Sequence, residues 1–354
     1  IESTRYLAVD ESRMLADPAR YYKGGKPDLQ LFDKKLYEVN PDDKVAIARA
    51  AAEEVLGKDE RIISVDSSYS DGEGSSYRLI SNGFEGESKS TWFSVSASVS
   101  IKGEGEARPQ DYWYDSALFY DKLTKTGIGA KALERVLRKL GQKKAKSGKY
   151  TMVVDPMNVG NLLSPMLSAL YGSALQQKNS FLMDKLDTKV ASDLFTLRDE
   201  PHAIGANGSR YFDNEGVATE PRTVFDKGVL KTYFIDTYNG KKMDIAPTIS
   251  APSRLILTPG DKDLNGLVAD IKQGILVTGF NGGNSNSSTG DFSYGIEGFL
   301  IEDGKLTQPV NEMNVTGNMV TLWNSLVAVG NDPQPNRSWQ IPSLVFEGVD
   351  FSGL

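Results

Sequence analysis

Cysteine is absent from this 354-residue chain, and histidine occurs once, at His202. The first absence excludes disulfides and fits a reducing compartment such as the cytoplasm, without excluding the periplasm. The second excludes most zinc chemistry. A zinc site draws three or four ligands from His, Cys and carboxylates, and zinc peptidases use at least two histidines. No apolar run reaches the roughly 20 residues of a membrane-spanning helix. Cationic charge is not in excess either: 40 Lys and Arg against 47 Asp and Glu leave a net charge of -7, which argues against a broad phosphate-neutralising surface. The local basic cluster, Arg135, Arg138, Lys139, Lys143, Lys144, Lys146 and Lys149, reads as a helix end whose cations suit its dipole, followed by a solvated loop. Neither Gly72-Glu73-Gly74 nor Gly282-Gly283 has the Gly-Lys-Ser/Thr ending of a phosphate loop, and no solenoid repeat is present. Ile1 is preceded by no initiator Met and no signal-peptide pattern, so a trimmed N-terminus and a first domain incomplete at its start are expected.

What is present is the composition of a folded protein, 39% hydrophobic and 25% charged, long enough for two domains. Asn40-Pro41-Asp42-Asp43 predicts a helix start, with Gly57 closing that helix. Phe93, Val95, Ala97, Val99 and Ile101 alternate with serines, the period of a sheet with one buried face, and Asn82-Gly83 and Lys102-Gly103 supply turns for an antiparallel meander. A helix from Ile128 to Leu140 ends at Gly141, and the Lys-rich segment after it is the candidate domain boundary. An N-terminal α+β domain over 1–148 and a β-rich C-terminal domain over 149–354 follow. The second half opens with a strand, Tyr150 to Val154, then Asp155-Pro156 as a helix cap. Leu162, Leu163, Met166, Leu167, Leu170 and Ala174 recur at helical spacing, with a break or kink expected at Pro165. Asp226-Lys227-Gly228 and Glu302-Asp303-Gly304 read as three-residue hairpin turns, and Asn281 to Ser288 as a mobile surface loop. The fold class expected is α+β, with N-terminal helices on an antiparallel or mixed sheet and a core helix in the β-rich part. Trp92, Tyr112, Trp113 and Tyr114 read as sheet-core or interface aromatics.

Among candidate chemical residues, His202 beside Pro201 reads as a hydrogen-bonded surface or interface residue rather than a metal ligand. Asp213 and Glu215, on one face if the segment is extended, are open to two readings. They form a general acid and base, or they are carboxylates accepting backbone N–H bonds beside Gly216 along a groove. The absence of a nearby nucleophile or electrophilic cation favours the second.

A set of short motifs recurs in a specific order: Gly72-Glu73-Gly74, Ser81-Asn82-Gly83 and Tyr112-Trp113-Tyr114, then Lys178-Asn179-Ser180-Phe181-Leu182, Phe212-Asp213-Asn214-Glu215-Gly216-Val217-Ala218-Thr219, the two hairpins, Thr289-Gly290-Asp291-Phe292 and Gly330-Asn331-Asp332. In this order they resemble the TldD/PmbA family, labelled modulators of DNA gyrase, and in particular its PmbA (TldE) branch. The resemblance implies a helix that in the TldD branch carries His-Glu-x-x-x-His, completed by a later cysteine. Counting back from Gly172 and Ser180 puts those positions at Leu163, Ser164 and Ser168, and the cysteine has no counterpart. The resemblance further implies groove residues Ser180, Phe181, Asp213, Glu215, Gly216 and Asp291, no catalytic residue, and no cofactor in this chain, with zinc only in a TldD-type partner. The chain would then be the non-catalytic half of a cytoplasmic heterodimer, or a homodimer when alone, acting on unfolded or peptide substrates. Two alternatives stay open: a metallopeptidase in its own right, with an atypical metal site including His202 or one shared with a second chain, and a gyrase-modulating binding protein.

Overall fold

The computed structural model describes residues 5, 6 and 8–354, so the start at Ile1 lies outside the described residues. The alternation of serine with apolar residues is realised in a three-stranded antiparallel meander, β1 (Ile62–Ile80), β2 (Phe84–Ile101) and β3 (Gln110–Ala117). Its odd-numbered face, Phe93, Val95, Ala97, Val99 and Ile101, is buried against helices α1 (Pro41–Glu53) and α2 (Ile128–Leu137) through Ala51, Val55, Ile128, Ala132 and Val136. Asn40 caps α1 by accepting from the Asp42 N–H at 2.8 Å. Helix α2 begins at Gly127, which has no capping side chain of its own. Glu54, at the end of α1, takes over: its carboxylate accepts from the N–H groups of Gly127 and Gly129 at 2.6 and 2.8 Å, placing negative charge at the positive end of α2. The even face is a floor of serines, with Ser64 bonded to Ser100 and Ser68 to Ser96, each pair at 2.9 Å. On that face Trp92 lies over Gly72 and Tyr112 stacks on Tyr114. Both Trp92 (45% exposed) and Tyr112 (51%) are open to solvent, in contrast to the sheet-core position that was one of the two expected.

The second half is built on a ring of strands: β4 (Gly148–Val154), β9 (Gln273–Ser285), β10 (Asp291–Glu302), β11 (Lys305–Asn318) and β14 (Leu344–Ser352), after α3 (Gly160–Ser168), α4 (Gly172–Gln176), α5 (Thr237–Met243) and α6 (Leu264–Ala269) have been laid in between. The β11–β14 pairing closes the ring, and β12 (Leu326–Val329), which follows α7 (Met319–Asn324), extends it from the first half of β14. β4 and β9 pair in parallel, and both of their faces are covered: Met152, Val154, Ile275 and Val277 enter the main core, while Val153 and Leu276 pack with α6 residues Leu267 and Val268. That explains why these strands read as continuous apolar runs. A smaller sheet, ordered β13 (Trp339–Gln340), β8 (Leu255–Leu257), β5 (Leu197–Asp199), β6 (Arg222–Asp226), β7 (Val229–Leu230), lies beside it.

Four local expectations are corrected. Both hairpins turn in two residues, not three, with positive φ at Lys227 (46°) and Gly228 (75°) and at Asp303 (46°) and Gly304 (76°), a combination that matches strand twist. Asn281 to Ser285 is not a loop but the end of β9, where a side chain at Gly283 would meet the Ser293 carbonyl at 2.1 Å. Asp155 caps a turn, accepting from the Asn158 N–H at 3.0 Å, and α3 starts only at Gly160. Helix α3 runs over Pro165 to Ser168 and the chain breaks at Ala169–Tyr171 instead. Proline's missing N–H would have served the carbonyl of Asn161, and that residue is exposed, where water can serve it. Among the described residues no helix is long and apolar enough to cross a membrane.

Candidate functional site

The helix in question, α3, buries one face. Leu162, Leu163 and Met166 are fully buried and Leu167 nearly so, all in the main core, while Ser164 and Ser168 are exposed on the other side. Leu163, Ser164 and Ser168 therefore do not face one point, and none of the three side chains binds zinc well. Among the described residues no group of three His, Asp or Glu side chains is close enough to hold a metal ion. The residues of this chain do not fit a zinc ion at that helix.

Around the end of α3 the motif residues act as pins between chain segments. Ser180 is buried; its hydroxyl donates to the Ala169 carbonyl at 2.6 Å, at the break after α3, and accepts from the Leu182 N–H at 3.1 Å. On the other side of the break, Gly172 N–H donates to Phe234 O at 2.7 Å and Phe234 N–H to Leu170 O at 2.9 Å. That segment leads into α5, where Glu215 accepts from both the N–H and the hydroxyl of Thr237 at 3.0 and 2.9 Å. Burial pushes the Glu215 carboxyl above its ordinary value, against the pull of these bonds. Asp213, 2% exposed, accepts from three backbone N–H groups: Glu215 at 2.8 Å, Val217 at 3.0 Å and Ser250 at 3.0 Å. The segment is thus a tight turn held by Asp213 rather than an extended stretch with two carboxylates on one face. Gly216 has φ +80° at the turn's end, and a Cβ there would sit 2.6 Å from the Phe84 ring.

The residues grouped together from the sequence fall into two clusters. Asp213, Glu215 and Gly216 form the turn just described. Phe181 and Asp291 sit elsewhere: the Phe181 ring packs on Gly290, its N–H donates to Ser287 O at 2.9 Å, and Asp291 accepts from Thr289 Oγ1 at 2.7 Å and Asn318 Nδ2 at 3.0 Å, bonds that hold its carboxyl below the usual range. Ser180 belongs with Phe181 in the chain and pins α3. His202 places Nε2 3.0 Å from Thr219 Oγ1 with its ring 5.0 Å from that of Tyr211, and burial lowers its pKa.

What the sequence did not announce is an aromatic ladder that crosses between segments far apart in the chain. Tyr22 stacks on Tyr211 at 5.2 Å and flanks Phe212, which meets Phe84 edge-on at 5.1 Å; Phe84 in turn meets Tyr21 at 5.2 Å. The doublets Tyr21-Tyr22 and Tyr211-Phe212 were the available signal. The ladder forms one wall of a cavity of about 400 Å³ beneath the tip of the β1–β2 hairpin, whose opposite side holds Ser76, Arg78 and Ser88. A second cavity of about 350 Å³ shares Leu31, Ser209 and Arg210 with it and continues past Ser90.

Fold and site together define an α+β scaffold whose helix α3 carries no His, Cys or carboxylate. Residues 147–353 match the PmbA/TldA metallopeptidase C-terminal domain and residues 34–140 the central domain. The chain belongs to the PmbA/TldD metallopeptidase family. It is 29% identical to a metalloprotease PmbA homolog of Haemophilus influenzae, over 99% of this chain and 78% of that one. A crystal structure of a candidate modulator of DNA gyrase from Bacteroides thetaiotaomicron is 73% identical, with a TM-score of 0.99 over all of this chain and 81% of that chain. TldE from Thermococcus kodakarensis, 22% identical over 99% of this chain and 82% of that chain, shares the fold with a TM-score of 0.81.

Proposed function

We propose that this chain is the non-catalytic, TldE/PmbA-like subunit of a cytoplasmic metallopeptidase complex that cleaves unfolded or peptide substrates, zinc and its chemistry residing in a TldD-type partner. The observation that carries the reading is the helix α3: Leu163 faces the core, and Ser164 and Ser168 are hydroxyls with neither the affinity of a zinc ligand nor the basicity of a general base. The family's proteolytic role supplies the reaction class, and the lack of zinc donors on α3 supports a binding and scaffolding role for this chain. Its own residues act by position, since Ser180 holds the Ala169 carbonyl at the α3 break while Asp213 and Glu215 pin the 213–217 turn and the start of α5 through bonds to the main chain. Co-purification from the native host, followed by identification of bound proteins and metal analysis, tests the reading. A stoichiometric complex with a TldD-type subunit, zinc following that subunit, is expected. About one zinc per chain in the isolated protein, with chelator-sensitive hydrolysis of a denatured protein, would overturn it.

A further inference from the structure

We propose that the groove beneath the tip of the β1–β2 hairpin binds the carboxyl-terminal end of an extended polypeptide, with the terminal carboxylate on Lys26 and Arg78 and the last apolar side chain on the Tyr22–Tyr211 stack. The inference deepens the reading above and rests on it for its peptide class of ligand. The charged groups of the cavity differ in what already holds them. Asp213 is saturated by backbone N–H groups, and Asp28 accepts from the Gln30 N–H at 2.9 Å. Lys89 is paired with Glu73 at 3.4 Å, and Arg210 is spent on the carbonyls of Ala251 and Pro252. Arg78 has no ion-pair or hydrogen-bond partner among the described residues, and Lys26 meets only the face of Tyr211, 5.4 Å from its centroid. Lys26 and Arg78 thus line the cavity without an anionic partner among the described residues, beside Asp28 and Glu87, which have no cationic one, and Asp213, whose oxygens are taken up by N–H groups.

The remaining surface suits a main chain. Tyr22 and Tyr211 lie nearly parallel, 11° apart, and offer a flat apolar edge, while Ser76 and Ser88, bonded to each other at 2.9 Å, leave one O–H and their acceptor lone pairs for a ligand. The adjoining cavity, reached past Ser209 and Arg210, gives the preceding residues a path. Capture of a terminal carboxylate demands little of the sequence before it, which is what a subunit serving unfolded clients requires.

The probe is a fluorescein-labelled hexapeptide, Ser-Gly-Ser-Gly-Ala-Phe, as free acid and as C-terminal amide, titrated by anisotropy against the purified chain. The acid is expected to bind about tenfold more tightly, the size of one charge-assisted contact. Arg78→Gln should abolish the preference and Arg78→Lys retain most of it, with circular dichroism unchanged in both. Equal binding of acid and amide, no binding of either, a preference that survives Arg78→Gln, or binding of maltohexaose in place of both peptides would overturn the proposal. Light scattering with the TldD-type partner is read separately. Failure of the two chains to associate while the acid preference persists sinks the subunit reading and leaves the carboxylate site standing.

Discussion

The two halves of the molecule stabilise themselves by different means. In the N-terminal meander the side chains that matter are apolar: Phe93, Val95 and Val99 are fully buried against α1 and α2, while the serines of the other face bond one another in the open. In the C-terminal half long stretches have no regular structure, and buried polar groups replace the ladder. Asp199 accepts from Ser253 and Arg254 N–H, Asp213 from three N–H groups, and Asp332 from Leu264 and Ser343 N–H. A loop cannot be buried unless its backbone groups find partners, and short acidic side chains can supply them without a neighbouring strand. The lesson is that family motifs rich in Asp, Asn and Gly here mark backbone architecture more than chemistry.

If that contrast holds, removing one carboxylate from the C-terminal half should hurt as much as emptying the N-terminal core. Asp213→Ala leaves three N–H groups, one buried and two half-buried, without their acceptor, at a cost of about 3–4 kcal/mol, comparable to the ~3–5 kcal/mol of Phe93→Ala. Asp213→Asn keeps the oxygen that serves Glu215 and Val217 and should lose only about 1–2 kcal/mol. Urea unfolding measures all three. A loss under 1 kcal/mol for Asp213→Ala would dissolve the distinction between the halves.

Next in size is the attempt to rebuild the metal helix with Leu163→His, Ser164→Glu and Ser168→His. Residues five apart on a regular helix differ by roughly 140° in direction, and α3 is continuous through this stretch, so the two imidazoles diverge, one into the core and one into solvent. Loss of the Leu163 contacts and burial of an unpaired imidazole should cost about 3 kcal/mol. No stoichiometric zinc binding is expected in titration at micromolar metal. Tight binding together with hydrolysis of an unfolded client would overturn the non-catalytic reading proposed for this chain.

The same contrast explains what could be read before the structure. The meander, the Asn40 cap and the start of α2 were legible because period-two and helical patterns are local, although α2 ends at Leu137, short of the Leu140 expected. The ring of strands was not, since β4 pairs in parallel with β9 more than a hundred residues later, and the closing β11–β14 contact spans only Asn314–Thr316 and Asp350–Ser352. Composition misled at Asn281–Ser285, where glycines signal close strand approach rather than freedom, and at Pro165, where position in the helix mattered more than residue type. The buried face of α3 was legible from its apolar spacing, whereas the cavity unites Tyr22, Arg78 and Tyr211, which no local pattern connects.

A much smaller effect is expected on the serine face. Ser68 and Ser96 bond at 2.9 Å in an exposed position where water competes, so Ser68→Ala with Ser96→Ala should stay within about 0.5 kcal/mol of the wild type. A loss near that of Asp213→Ala would mean that the hydroxyl floor is a structural ladder in its own right, and the N-terminal half would no longer be the apolar member of the pair.

The smallest effect is read at His202, whose solitude makes it a clean reporter of the C-terminal loops. Its imidazole is partly buried beside Tyr211 and bonded to Thr219, and burial, followed by the positive charge of Lys26, holds its pKa below the ordinary 6.5. A depressed value means that folding favours the neutral ring. The stabilising contribution is therefore whole above pH 6.5 and is lost as pH falls through the folded midpoint. A single ring resonance should titrate with a midpoint under 6.5 in proton NMR, and Lys26→Gln should move it upward by removing the neighbouring cation. The stability of His202→Gln relative to the wild type should improve toward acid pH, because glutamine has no proton to take up. A midpoint at or above 6.5 would mean that the ring is solvated, and the Tyr211–Thr219 wall would then be open rather than packed.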